Sequence, residues 1–128
     1  MKFDIAIIGG GPGGYTAAEK AAKAGLQVVL FEKEDLGGTC LNRGCMPTKA
    51  LLHSAETYSI LGKAEELGVR TYETDYDFGA MHARKDQVVE SLRQGVEKLM
   101  KSNKITVVRG QGCIEAPGIV TCDGETYE

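Results

Sequence analysis

The hydrophobic positions along this chain change period several times. Phe3 to Ile8 is a short, β-branched apolar run with polar neighbours, and it predicts a strand buried on both faces. After the glycine-rich GGGPGG that follows, Tyr15 to Ala24 is alanine-rich and predicts a helix that Gly25 ends. Gln27 to Phe31 repeats the strand pattern and stops at Glu32. From Thr48 to about Leu67, the residues Leu51, Leu52, Ala55, Tyr58 and Leu61 recur every three or four positions, which is one helical face. Gly68 to Asp77 breaks that period and predicts an extended loop. A second long helix is expected from about Gly79 to Lys101, with Val88, Leu92, Val96 and Leu99 as its stripe, Asp77 as its cap, and Glu90, Arg93, Glu97 and Lys98 on a solvated face. Ile105 to Arg109 is a third strand. Cys113–Glu115, Ile119–Cys122 and Glu125–Glu128 then alternate about turns at Pro117-Gly118 and Asp123-Gly124, which predicts an antiparallel meander.

The order strand, helix, strand gives the glycines a context. Gly9, Gly11 and Gly14 have the spacing G-x-G-x-x-G, with Pro12 inside it, directly after a strand and before a helix. One glycine makes the turn, one admits a pyrophosphate to the backbone, and one lets helix and strand pack closely. Glu32 ends the second strand, where a carboxylate accepts hydrogen bonds from ribose hydroxyls; Lys33 lies beside it. These features predict a dinucleotide site, without saying which dinucleotide.

Leu36 to Lys49, LGGTCLNRGCMPTK, carries Cys40 and Cys45 with four residues between them. In one ideal helix the axial rise between the two would be roughly 7.5 Å, beyond the ~7 Å that a disulfide tolerates. A bridge therefore needs a bent or unwound turn, which Gly44 allows, and Pro47 fits only the opening turn of a helix. Cys45 is thus expected at a helix mouth, where unpaired amides favour a thiolate. The spacing alone leaves open a redox pair or two ordinary cysteines; zinc is a weaker reading, because Cys113 and Cys122 supply no second pair of ligands.

Composition adds exclusions. With 128 residues, one domain at most is expected; a net charge of −3 with mixed signs gives no footprint for nucleic acid. No apolar run approaches the ~18 residues of a membrane span, and Asp4 argues against a signal peptide. Four cysteines are too few for a disulfide scaffold, so a reactive pair is the commoner use. His53 and His82 have no partner identifiable in the sequence and are expected to be structural or solvent-facing. Cys113 and Cys122 are expected to act as small apolar strand residues.

The glycine fold at residues 4 to 32, followed at once by GGTCLNRGCMPTK, resembles the N-terminal part of the flavin-dependent pyridine nucleotide-disulfide oxidoreductases. The match covers essentially the whole chain and is most specific through the cysteine segment. Within the family, Leu41 to Cys45 is most similar to the dihydrolipoamide dehydrogenase branch; glutathione and mercuric reductases are the alternatives within the enzyme class, and a stand-alone dinucleotide-binding thiol switch is the alternative outside it. The resemblance implies an α/β, Rossmann-like FAD-binding domain with a small antiparallel meander. Residues 1 to 128 would be a truncated part of it, without the NAD-binding and interface domains.

It also implies roles. Cys40 would be the interchange thiol and Cys45 the thiol against the flavin, the two forming a redox-active disulfide, with Lys49 reaching the ring. Gly9, Gly11, Pro12 and Gly14 would hold the pyrophosphate, Glu32 and Lys33 would lie at the ribose, Gly38 and Thr39 would make further contacts, and Gly112 would lie beside the adenine. FAD would be the cofactor and NAD a co-substrate of the missing domain. The partners would be a lipoamide-bearing carrier protein or small disulfide and, in the parent, a second subunit of a homodimer; the location would be cytoplasmic. Because a central strand would lose its neighbour, the fragment is expected to bind FAD weakly or not at all, to have no dehydrogenase activity, and to self-associate through the exposed edge.

Overall fold

The strand Val28–Glu32 alternates its burial between two layers, and the rest of the molecule is built on either side of it. In the computed structural model, which describes residues 2–128, this strand (β2) lies between β1 (Ile5–Ile8) and β3 (Thr106–Arg109) in a parallel sheet of order β1-β2-β3. Val28 and Leu30 face a core shared with Ala18, Leu36, Met100 and Ile105. Val29 and Phe31 face a second core with Val120, Cys122 and Tyr127. Successive side chains of a strand point to opposite faces, so four consecutive apolar residues serve two cores. Each such burial is worth roughly 1.5–3 kcal/mol relative to exposure.

The first core is roofed by helices α1 (Pro12–Lys23) and α4 (Phe78–Ser102). The second is closed by the antiparallel sheet β4 (Cys113–Ala116), β5 (Ile119–Cys122) and β6 (Glu125–Tyr127). Tyr127 meets Phe31 edge-on at 5.0 Å between ring centroids, and Phe3 N donates to Glu128 O at 2.7 Å. The two-residue turn between β5 and β6 has Asp123 and Gly124 both at positive φ, the primed geometry that joins twisted strands.

Two further helices, α2 (Gly38–Arg43) and α3 (Cys45–Leu61), run from β2 toward α4. A 3₁₀ turn, Ala64–Leu67, and an irregular stretch to Asp77 follow. Asp77 caps α4 as expected, its carboxylate accepting from Ala80 N at 2.9 Å.

Four expectations change. The doubly buried strand is β2, whereas Ile5 and Ile8 of β1 are exposed; among the described residues no strand pairs with the outer side of β1, which is the exposed edge expected of it. The helix begun at Cys45 stops at Leu61 and Gly62, short of Leu67; buried Ala64 re-anchors the chain in the 3₁₀ turn. Its apolar face is no core: Leu52, Tyr58 and Leu61 are exposed, Ala50 alone on this helix is buried, and Tyr58 meets Tyr76 edge-on. On α4 the buried line is rotated to Val89 and Met100, with Val96 and Leu99 packed beside the core and Leu92 exposed. No helix among the described residues is long and apolar enough to cross a membrane.

Candidate functional site

The loop after β1 is shaped by backbone crowding. Gly9 has φ +103°, and a Cβ on Gly14 would fall on the Gly9 carbonyl oxygen, so the first turn of α1 and the end of β1 touch backbone to backbone. A Cβ on Gly10 would run into Leu36 and Glu32. Gly13 differs, because a Cβ there would meet nothing within 4 Å. Pro12 is the first residue of α1, where a missing N–H costs nothing. No acidic residue lies in that turn. The amides of Gly13 and Gly14 and the positive end of a 12-residue helix therefore face outward at a loop with room beside it.

Glu32 leaves β2 toward this loop. Its Oε2 accepts from Gly10 N at 2.7 Å and its Oε1 from Glu34 N at 2.8 Å. The carboxylate thus holds the glycine loop in shape, and each oxygen keeps a further lone pair. Two clefts flank it at the carboxyl ends of the strands, the place where open parallel sheets bind ligands. One, about 250 Å³, is lined by Gly9, Phe31, Glu32 and Gly112. A Cβ on Gly112 would come within 2.9 Å of Phe31, so that wall is bare backbone by necessity. The other, about 190 Å³, is lined by Glu32, Lys33, Gly38, Thr39, Asn42 and Arg43. The two share Glu32 and Lys33.

The start of α2 abuts the glycine loop. Gly38 has φ +72°, and a Cβ on it would lie 3.0 Å from both Gly11 Cα and Pro12 Cδ. Two residues further on is Cys40, and after Arg43 the helical path breaks at Gly44, with φ −123° and ψ −102°. The break brings Cys40 and Cys45 together as a disulfide with Cα atoms 4.7 Å apart. The bend expected from the spacing is therefore a division into two helices, and the short α2 was not foreseen. Cys45 is the first residue of α3, Pro47 lies in its first turn without an acidic neighbour, and Thr48 N donates to Gly44 O at 3.1 Å. Both cysteines and Lys49, one turn along α3, are exposed.

Two side chains that the sequence did not mark hold α2 in place. Asn42 Nδ2 donates to Leu36 O and to Gly38 O, each at 3.0 Å, and its Oδ1 accepts from Arg93 Nε at 3.0 Å. Arg93 also pairs with Asp35 at 3.4 Å and Glu90 at 3.1 Å, so the solvated role expected of it on α4 is wrong. Arg109 extends the set, donating to Glu34 O and reaching Asp35 and Glu97. The only signal for Asn42 was its place inside LNRGC; Arg93, 51 residues away, had none.

The other candidates lie outside the site. His53 is exposed on α3, and His82 meets Phe78 edge-on at 4.6 Å between ring centroids. Cys113 is exposed and Cys122 buried, both free. In the meander Cys113 faces Thr121, the neighbour of Cys122, so the two thiols point to opposite sides of the sheet. Burial, with Asp123 next in weight, pushes the Cys122 thiol above its ordinary value. Among the described residues no three His, Cys, Asp or Glu side chains converge as a metal site requires.

The chain as a whole has relatives among known proteins. The family model described as Pyridine nucleotide-disulphide oxidoreductase matches residues 3–128. The chain is 49% identical over 124 residues to a dihydrolipoyl dehydrogenase of Chlamydia muridarum, covering 97% of this chain and 27% of that protein. It is 48% identical over 118 residues to one of Bacillus subtilis (92% and 25%), and 45% identical over 128 residues to one of Acholeplasma laidlawii (99% and 38%). The chain thus spans between a quarter and two-fifths of the length of these relatives.

Proposed function

This chain belongs to the pyridine nucleotide-disulphide oxidoreductase family, and on that premise we propose that it is the FAD-binding, disulfide-bearing portion of a dihydrolipoamide dehydrogenase. The observation that carries the reading is the Cys40–Cys45 bridge at the break between two helices, the first of which starts against the glycine loop. The reading is supported by the N-terminus of α1 at the glycine loop, an acid at the end of β2, and walls at Gly38 and Gly112 that admit no side chain.

On this reading Gly9, Gly11, Pro12 and Gly14 hold the pyrophosphate. Glu32 and Lys33 lie at the ribose, Gly38 and Thr39 along the nucleotide, and Gly112 at the adenine. Cys40, Cys45 and Lys49 take the ring end. FAD, when bound, supplies the two-electron relay from the protein dithiol to NAD.

The chain's own residues perform the thiol chemistry. A thiolate of reduced lipoamide attacks Cys40 Sγ, forming a mixed disulfide and expelling Cys45 as a thiolate. The second substrate thiol then displaces Cys40, leaving oxidised lipoamide and a protein dithiol. Cys45, at the first position of α3, has the helix amides and the positive helix end to stabilise its charge, and Lys49 adds a cation one turn away. NAD is taken by a separate domain and a homodimer completes the site, so residues 1 to 128 alone lack dehydrogenase activity. A lipoamide-bearing carrier protein is the partner and the cytoplasm the location.

The test is turnover of the full-length polypeptide with lipoamide and with glutathione disulfide. Cys40→Ser and Cys45→Ser are each expected to abolish lipoamide-dependent activity while retaining flavin. Lipoamide turnover surviving either substitution, or a preference for glutathione disulfide, overturns the assignment.

A further inference from the structure

Helix α2 carries Cys40 but has little of its own to hold it. It is six residues long, buries none of them, and has no side-chain cap. Isolated helices well under ~12 residues do not persist in water. Its side-chain anchors to the rest of the chain are the Cys40–Cys45 bridge, the Asn42 hydrogen bonds and an exposed Arg43–Glu34 ion pair at its end, of which the last is worth little. Opening the bridge removes the first anchor and leaves the others.

We propose that Asn42, clamped by Arg93 of α4, is a positioning residue that keeps Cys40 beside Cys45 in the dithiol state and so sets how readily the disulfide re-forms. The proposal rests on the reading of Cys40–Cys45 as a cycling pair and adds what governs that cycle. The Asn42 amide uses both of its donors and its oxygen in a way suited to this task. Its NH₂ ties two carbonyls, Leu36 before α2 and Gly38 at its start, and its oxygen takes the Arg93 Nε–H. Arg93 is in turn fixed by Asp35 and Glu90. A half-buried, charge-assisted hydrogen bond of this kind is stronger than a neutral one. None of these contacts involves sulfur, so all of them can outlast reduction.

The exchange with a small thiol is balanced: disulfide plus two glutathione thiols gives the protein dithiol plus one glutathione disulfide. Its equilibrium constant reports how closely the dithiol holds its two sulfurs. In Asn42→Ala the reduced α2 keeps only the exposed Arg43–Glu34 pair, and closure must recover the freedom it gains. The expected result is about a tenfold fall in the closure constant, from the loss of two neutral and one charge-assisted hydrogen bond, equivalent to a potential about 30 mV more oxidising. Arg93→Gln, which leaves the sequence of α2 intact and carries the test should Asn42→Ala fail to fold, is expected to give a fall of about threefold. The double variant should match Asn42→Ala alone, because Arg93 acts on α2 through its bond to Asn42.

The measurement is made on the 128-residue chain equilibrated in glutathione buffers, quenched with acid, alkylated and weighed for the oxidised fraction. The thermal midpoints of the oxidised and reduced forms are read alongside. A purely structural role would lower both midpoints equally and leave the closure constant within twofold of wild type, and that outcome overturns the proposal. Additive effects of the two substitutions would overturn the Asn42–Arg93 link. Neither flavin nor lipoamide enters the assay, so a negative result here is distinct from a failure of lipoamide turnover in the full-length protein.

Discussion

The glycine cradle and the cysteine elbow adjoin at Gly11 and Gly38, yet they are held by opposite means. The cradle is fixed by what its backbone excludes: a side chain at Gly10, Gly14 or Gly112 would strike atoms already in place. The elbow is fixed by what its side chains reach, with Asn42 and Arg93 spanning α2 and α4 and no buried residue in α2. Exclusion tolerates no substitution at its few positions. Reach tolerates many, but weakens by degrees.

That contrast sets the order of the expected effects. Gly14→Ala puts a Cβ onto the Gly9 carbonyl, and neither backbone segment can yield; a loss of about 3 kcal/mol, at the top of the overpacking range, is expected in denaturant unfolding. Gly44→Ala meets Thr39 O at 3.3 Å and Cys40 Cα at 3.4 Å, a tight but adjustable contact. About 1 kcal/mol is expected there, together with a smaller oxidised fraction in a glutathione buffer. Gly13→Ala reverses the sign for the fold. With nothing within 4 Å of the new Cβ, it should stabilise α1 by up to about 1 kcal/mol in thermal unfolding while weakening FAD in a fluorescence titration of the full-length polypeptide. Equal affinity for FAD would break the reading of that open face as the pyrophosphate seat.

The smallest effect is at alkaline pH, in the meander. The Tyr127 hydroxyl, donating to Glu125 at 2.9 Å, is held above its ordinary value of 10.0 first by that bond and then by burial. Cys122 is held above 9.0 chiefly by burial. In both cases the folded state keeps the proton longer than the unfolded one. Their contribution is therefore present below the unfolded values and lost as pH rises through the folded ones. The thermal midpoint should be flat up to about pH 9 and fall above it, less steeply in Tyr127→Phe; an unchanged slope would discount Tyr127.

Legibility in the sequence follows the same division. The cradle could be read because its demands are local: a strand, glycines at fixed spacing and a helix start lie within residues 5 to 23. The Asp77 cap and the Asp123-Gly124 turn were equally local. The spacing of Cys40 and Cys45 foretold a bend, though not that it would cut one helix into two. The Arg93 contact was hidden because it depends on the packing of α4 against α2, which no spacing in the chain encodes. The exposed side chains of β1 and the bare face of α3 were misread for a related reason. Apolar periodicity reports that a face is suited to burial, and the neighbours decide whether it is covered.

Helix α4 has a further consequence. Its 25 residues extend about 37 Å, and along that length Met100 sits in the core with Ala18 of α1 while Arg93 grips Asn42. One helix therefore supports both the core beneath α1 and, on the proposal above, the hold on Cys40. A change that tilts it, such as Met100→Ala, would detune the two together, so cofactor affinity and thiol reactivity would drift in concert across a series of α4 variants.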